Sequence, residues 1–389
     1  MKQKFLRVIS DYKIIFVIYI IVAGLTAYSK YKRGTGGYNN YLIFKGVFYN
    51  TLQEKNIFLQ YPDLFFDSNH YGIFFSLLIA PFAMMPDGLG AVLWNVTSTL
   101  VFLYAIYKLP FSDRKKSFFA WLCLQEFITA ATYFQFNIIL TGLLMLSAIY
   151  IYERKETQSA FSILIGTFVK VYGIVGLSAF FFIKNKLRFI ISLIIIAILF
   201  FVLPMLISSP KFGVQSYIDW YVSLAEKNLS NRSLTSRQDY SLMGVVRRVL
   251  GRTDLSNLLF VIPGFVLFML PYLRIKQYKN LSFQLMILAS TLLFVVLFSS
   301  GSESPTYIIA VAGVMLWFLM QKNISKIDIA ILIFVIILTC FSFSDLFPKS
   351  VKENYIIKYS LKAVPCIVVW FRVMYELLTR DFERDYKLD

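Results

Sequence analysis

The run SAFSILIGTFVKVYGIVGLSAFFFI, Ser159 to Ile183, decides how the chain is laid out. It is long enough to cross a bilayer, since a spanning helix needs about 20 mainly apolar residues. Yet Glu153-Arg154-Lys155-Glu156 precedes it and Lys184-Asn185-Lys186-Leu187-Arg188 follows it. Both flanks are basic enough to stay on the cytoplasmic side. Lys170, Tyr172 and Gly173 sit at its middle. Two short half-helices that enter and leave on one side reconcile these facts. Broken backbone of this kind survives in a membrane only where protein or a wet cavity covers it.

Outward from that segment, apolar runs recur at roughly 14–28, 89–108, 118–134, 138–152, 188–207, 257–273, 281–299, 306–320, 327–343 and 356–378. With 159–183 as a re-entrant pair, parity closes at about ten full spans with both termini cytoplasmic. Met1-Lys2-Gln3-Lys4, Arg7 and Lys13 precede the first run, and Ser29-Lys30-Tyr31-Lys32-Arg33 follows it in place of a small-residue cleavage motif. That run reads as an uncleaved span with its amino end inside. The short outer connections near 134–137 and 300–305 carry no Lys or Arg, and every short inner loop carries some. The outer excess sits in two long loops, which are exempt from the charge rule.

Composition agrees with this layout. Apolar residues (AVILMFWYC) make up 58% of the 389 and charged residues 16%, against about 45–50% and about 25% in soluble domains. A soluble enzyme is excluded. The expected fold class is an all-α polytopic membrane protein, one transmembrane domain over 1–389. Its first periplasmic loop (29–88) carries interfacial helices, its second (208–256) an amphipathic helix, and 379–389 is a cytoplasmic tail. Cys123, Cys340 and Cys366 all lie in apolar runs, which excludes a disulfide framework and a Cys-based zinc site. His70 is the one histidine, too few for a multi-His metal site. The net charge of +17 follows from topology and two basic outer loops, so nucleic acid is not an expected partner.

The polar chemistry gathers outside, whereas a transporter keeps it at mid-membrane. The first loop reads Gly36-Gly37-Tyr38-Asn39-Asn40-Tyr41, then Gln60-Tyr61-Pro62-Asp63-Leu64-Phe65-Phe66-Asp67-Ser68-Asn69-His70-Tyr71. Two carboxylates four residues apart stand among aromatics, beside an apolar stretch from Ile73 to Met85. Ordinary aspartates in a solvated loop are the competing reading. In the second loop Val214, Tyr217, Ile218, Tyr221 and Ala225 follow helical spacing, with Trp220 as an interface anchor. Ser236-Arg237-Gln238-Asp239-Tyr240-Ser241-Leu242-Met243-Gly244-Val245-Val246-Arg247-Arg248 follows and suits an oxyanion or a sugar, because guanidinium forks bind phosphate oxygens. A basic surface helix attracted to anionic headgroups is the alternative. Glu126 and Lys170 are charges in apolar runs, each costing about 2.5–3.5 kcal/mol unless it meets a partner or cavity. They either pair with each other, or Lys170 meets a lipid phosphate, the reading preferred here. Gln135 and Asn137 fit helix-end caps, and Glu303 in Ser302-Glu303-Ser304-Pro305-Thr306-Tyr307 can reach the outer cavity. His70 reads first as a packing or hydrogen-bonding residue.

The order of these motifs resembles glycosyltransferase family 87, polyprenol-phosphate-mannose-dependent membrane transferases of GT-C architecture, in a Bacteroidetes-like branch. The matching features are Tyr41, Tyr61-Pro62, Ala80-Pro81-Phe82 with Pro86, Leu93-Trp94-Asn95, Phe134-Gln135-Phe136-Asn137, Lys170-Val171-Tyr172, Ser241-Leu242 with Gly244 and Arg247, and Ser302-Glu303-Ser304-Pro305. The resemblance implies an inverting hexosyltransferase of a bacterial inner membrane. It takes a sugar from a polyprenyl-phosphate donor to a lipid or glycan acceptor at the periplasmic face, among membrane lipids. The acids are too scattered in sequence to predict a cation site, so no metal and no cofactor is expected. Members typically carry the base as an Asp just before the Tyr41 step, where this chain has Asn39-Asn40, and an amide cannot take the proton at neutral pH. The expected base is therefore Asp67, with Asp63 in reserve. Arg247, Arg248 and Lys170 are expected to hold phosphate, and Asn40, Tyr61, His70, Gln135, Gln238, Ser241 and Glu303 to shape the substrate site. Asp67 and Arg247 must then share one cavity. A lipid-linked-sugar flippase or secondary transporter is the rival, with Glu126, Lys170 and the broken segment as its path. No matching pair of Gly/Pro-interrupted spans supports it. A catalytically dead scaffold is the third reading, kept open by the missing Asp.

Overall fold

The computed structural model describes residues 11–388, so the basic opening Met1–Arg7 lies outside the described residues. Among them every regular element is helical. Helix α1 (Tyr12–Lys32) starts on Asp11, whose carboxylate accepts the Lys13 N–H at 2.9 Å, and ends on Lys30 and Lys32, cations suited to the negative end of the helix dipole. The segment after α1 folds into α2 (Asn39–Leu52) and α3 (Phe75–Ala83), which pack on each other. Pro86 then starts α4 (Asp87–Lys108), and α5 (Asp113–Thr132) and α6 (Asn137–Tyr152) follow. Helix α1 lies against α4 and α5, and α4 against α6.

The Ser159–Ile183 segment breaks at Lys170. Helix α7 (Glu156–Val169) climbs to it, and a 3₁₀ helix, Val171–Phe182, returns alongside. The two arms touch backbone to backbone. A Cβ on Gly173 would fall 2.2 Å from the Gly166 carbonyl carbon, and one on Gly176 would meet the Ile163 side chain at 2.7 Å. Glycine at 173 is what lets the hairpin close.

Helix α8 (Lys186–Val202) follows, then α9 (Pro210–Ser230), capped by Ser209 with proline in its first turn. Helix α10 (Leu242–Leu250) ends on left-handed Gly251 (φ 68°). The remaining helices are α11 (Leu258–Met269), α12 (Leu281–Leu297), α13 (Tyr307–Met320), α14 (Lys326–Phe334) and α15 (Val364–Thr379). Helix α12 packs against α13, α15 and the 3₁₀ arm, and α13 returns to α5, closing the bundle. Among the described residues three helical stretches, 12–32, 87–108 and 186–206, are long and apolar enough to cross a membrane. Five shorter ones are also apolar. This is the all-α multi-pass architecture the sequence implied.

One expectation needs correction, and one of the two readings of Glu126 falls. The last apolar run does not form one helix from residue 356: the chain makes helical turns over 349–357, breaks at Ser360 (φ 54°), and only then enters α15. The break brings Lys362 Nζ to 2.7 Å from Glu126 Oε1, with both side chains fully buried. Glu126 therefore pairs with Lys362 and not with Lys170. Breaking such a pair by removing one partner costs about 3–5 kcal/mol.

Candidate active site

The turn between α5 and α6 is held from three directions. Phe134 takes a left-handed conformation (φ 54°), and its carbonyl accepts Trp94 Nε1–H at 2.8 Å. Asn95 Nδ2 donates to the Ala131 carbonyl at 3.0 Å and Asn40 Nδ2 to the Tyr133 carbonyl at 2.9 Å. Fixed in this way, Gln135 and Asn137 do more than cap helix ends. Lys170 Nζ donates to Asn137 Oδ1 (2.8 Å), Asn137 Nδ2 to Gln135 Oε1 (2.5 Å), and Gln135 Nε2 to Glu303 Oε2 (3.0 Å). One polar line thus joins the hairpin tip, the α5–α6 turn and the turn before α13.

The segment between α1 and α4 meets that line from the other side. Asn39 accepts the Phe66 N–H and donates to the Phe66 carbonyl, each at 2.7 Å. Asn69 clamps Tyr71 in the same two-handed manner, at 3.0 and 2.8 Å. Gly72 N–H donates to the Val169 carbonyl at 3.0 Å, and Trp220 Nε1–H to the His70 carbonyl at 2.9 Å. Trp220 thus turns its indole N–H onto the first segment. Between these elements lies a cavity of about 200 Å³. Asn40, Asp67, His70, Gln135, Lys170, Gln238 and Glu303 all line it, as the sequence expected, together with Asn69, Tyr172, Lys227 and Asn231. His70 is held down to about 4 by burial first and by Lys227 second, with Asp67 opposing and Lys170 adding. Its ring is neutral near pH 7.

Five expected residues stand apart from the cavity. Asp63 is exposed, and Tyr61 donates its hydroxyl to the Asn56 carbonyl at 2.8 Å. Ser241 is spent capping α10, accepting the Gly244 N–H and donating to Asp239 Oδ1. Arg247 is sealed inside the second segment, 2.8 Å from Asp239 and bonded to the Leu255 carbonyl and Asn257. Arg248 donates to the carbonyls of Ser236 and Gln238, each at 2.6 Å, to the Ile357 carbonyl and to Ser360. Asp67 and Arg247 therefore share no cavity. The guanidinium groups brace the loop that presents Gln238, and the cations facing the cavity are Lys170 and Lys227. In the sequence the apolar stripe of α9 masks Lys227. The opposite face, Ser216, Trp220, Ser223 and Lys227, repeats at helical spacing and turns inward, while Val214, Ile218 and Tyr221 are exposed.

A larger groove of about 720 Å³ runs among α4, α6, α7 and α8, but its lining of Leu100, Val101, Leu143 and Phe161 with a few hydroxyls carries no carboxylate and no cation. It has nothing with which to move a proton or hold an anion. Among the described residues no three of His, Cys, Asp and Glu come together.

Comparison with known proteins bears on this cavity. The model of glycosyltransferase family 87 matches residues 69–300, more than half of the chain. The match begins two residues after Asp67 and stops short of Glu303, but takes in His70, Gln135, Lys170, Lys227 and Gln238. No curated protein matches the chain. The crystal structure of ArnT from Cupriavidus metallidurans bound to undecaprenyl phosphate is similar at 13% identity and a TM-score of 0.43, over 93% of this chain and 76% of that one.

Proposed function

The chain belongs to glycosyltransferase family 87, and from that premise we propose that it moves a hexose, mannose in the first instance, from a polyprenyl-phosphate carrier to a lipid or glycan hydroxyl. The reaction takes place at the periplasmic face of a bacterial inner membrane, with both termini cytoplasmic. The observation that carries this reading is the gathering of Asp67, Glu303, Lys170 and Lys227 on one cavity. Inverting transfer from a lipid phosphate needs a carboxylate within about 3 Å of the attacking hydroxyl. It also needs fixed positive charge where the phosphate departs, because charge builds on that oxygen in the transition state.

Asp67 is the base. Asn39 clamps Phe66, and the residues that follow them, Asn40 and Asp67, line one cavity, so a carboxylate stands on the wall that also holds the amide replacing the family's Asp. Lys170 and Lys227 hold the phosphate, taking the part first given to Arg247 and Arg248. Glu303, steadied by Gln135, grips sugar hydroxyls together with Asn40 and Gln238. The exposed apolar stripe of α9 lies on the membrane surface and brings lipid-borne substrates to the cavity. A flippase would need an open polar path, whereas Glu126 is shut away with Lys362.

Purified protein in detergent, given polyprenyl-phosphate-[¹⁴C]mannose and membrane lipids, should transfer label to lipid, and Asp67→Ala should not. A transferase needs no sealed compartment, so label that never moves in detergent but crosses the wall of a proteoliposome would favour the flippase and end the transferase reading.

A further inference from the structure

The ring of His70 is anchored on one side and unpartnered on the other. Nδ1 shares a hydrogen bond of 2.9 Å with Ser223 Oγ, and Trp220 fixes the His70 carbonyl. Nε2 is buried at the cavity wall and meets no hydrogen-bonding partner among the described residues. A buried polar atom left unmade costs about 1–3 kcal/mol, so a ligand group explains its place better than packing does. The charged groups around it are Asp67 on its own segment, Lys227 on α9 and Lys170 at the hairpin tip, with Glu303 on the same cavity and the Tyr71 and Tyr172 hydroxyls nearby.

Resting on the transferase reading, we propose that His70 carries the proton that Asp67 has taken from the acceptor to the departing lipid phosphate. In the transfer, the acceptor oxygen forms a bond to the anomeric carbon as its proton passes to Asp67. The bond from that carbon to the phosphate oxygen breaks, and its electron pair leaves with the phosphate. Asp67 is then neutral and must be reset, while the phosphate has changed from a diester with one negative charge to a monoester that can carry two, its second pKa about 6. His70 accepts the proton from Asp67 at Nε2 and hands it from the same atom to the phosphate, which leaves as the monoanion. Charge sets the timing. Lys170 and Lys227 disfavour an imidazolium while unbalanced, and the second phosphate charge removes that objection at the moment the proton is needed.

Because His70 is the chain's one histidine, protein labelled with ¹³C,¹⁵N-histidine and purified on a histidine-free tag reports it without overlap. Saturating farnesyl phosphate should raise the midpoint of the ring titration by about one pH unit or more, and farnesol should leave it in place. A midpoint unmoved by bound farnesyl phosphate overturns the proton-carrier role alone. Failure of farnesyl phosphate to bind at all removes the lipid-phosphate reading, and the carrier with it. In kinetics His70→Asn, which keeps an amide toward Ser223, should lower kcat about 100-fold with donor KM within about 3-fold, and should erase one limb of the pH–rate profile. Unchanged kcat, or a rise in KM alone, overturns the proposal. If that variant does not fold, Ser223→Ala keeps the ring but frees Nδ1, and its pH–rate limb must shift for the proposal to stand.

Discussion

Asn39 grips Phe66 with both ends of its amide, accepting the backbone N–H and donating to the carbonyl at 2.7 Å each. The next residue on each side of that clamp lines the cavity: Asn40 from one, Asp67 from the other. Asp67 sits with φ at 73°, in the left-handed region that Asp enters more readily than most residues. Asp67→Asn should lower transfer by about 10²–10⁴-fold, the usual size of a general-base contribution, while Asp63→Ala should stay near wild type. Asn40→Asp added to Asp67→Asn should restore part of the loss. Radiolabel transfer decides it, and an Asp67→Asn protein as active as wild type would dispose of the assignment.

Donor affinity separates the two kinds of cation. Lys170→Met and Lys227→Met should each raise donor KM about 10–100-fold, the worth of one charge-assisted hydrogen bond in a covered site. The Lys227 effect should shrink in high salt, since Lys227 is only half-buried. If either replacement leaves donor KM unchanged, that lysine is not at the phosphate.

Arg247→Leu should act on the fold instead. It leaves Asp239 buried without its counter-charge, a loss of about 3–5 kcal/mol. The thermal midpoint in detergent should fall while donor KM of the surviving protein holds. A raised donor KM at unaltered stability would return Arg247 to the phosphate.

Much of this was legible in the residues. The flanks of 159–183 and the glycine at its centre announced the hairpin, because charge at both ends and a residue without a Cβ in the middle admit few other arrangements. Phe134 to Asn137 and Lys170 were visible as polar groups in apolar surroundings. What stayed hidden depends on long-range partners. Nothing local distinguishes an arginine that meets phosphate from one that meets Asp239 eight residues earlier, and the Ser360 break that brings Lys362 to Glu126 is set by bonds to Arg248 and the Asp239 carbonyl. Helix α9 misled through its apolar stripe, which in a membrane protein faces outward.

The buried pair of Glu126 and Lys362 should behave non-additively. Glu126→Gln and Lys362→Met alone each leave one charge in an apolar interior, costing about 3–5 kcal/mol, whereas the double replacement removes both and should be much milder. Detergent thermal shifts of the four proteins give the coupling. Simple addition of the two single losses would mean the pair contributes no mutual stabilisation.

Stability should also depend on the protonation of His70. Its ring is held at about 4 in the folded chain, against 6.5 when unconstrained. Between those values the unfolded chain binds more protons than the folded one, so stability is unaffected above pH 6.5 and falls as pH drops from there toward 4. The full loss is about 3 kcal/mol, reached below the folded-state value. His70→Asn removes this contribution without adding a charge, so the wild-type thermal midpoint should decline more steeply than the variant's over that acid interval. Saturating farnesyl phosphate should flatten the wild-type decline, since a bound anion makes the protonated ring tolerable in the fold. Parallel curves for wild type and variant would show that the ring titrates as it does in the open chain, and that neither burial nor Lys227 presses upon it.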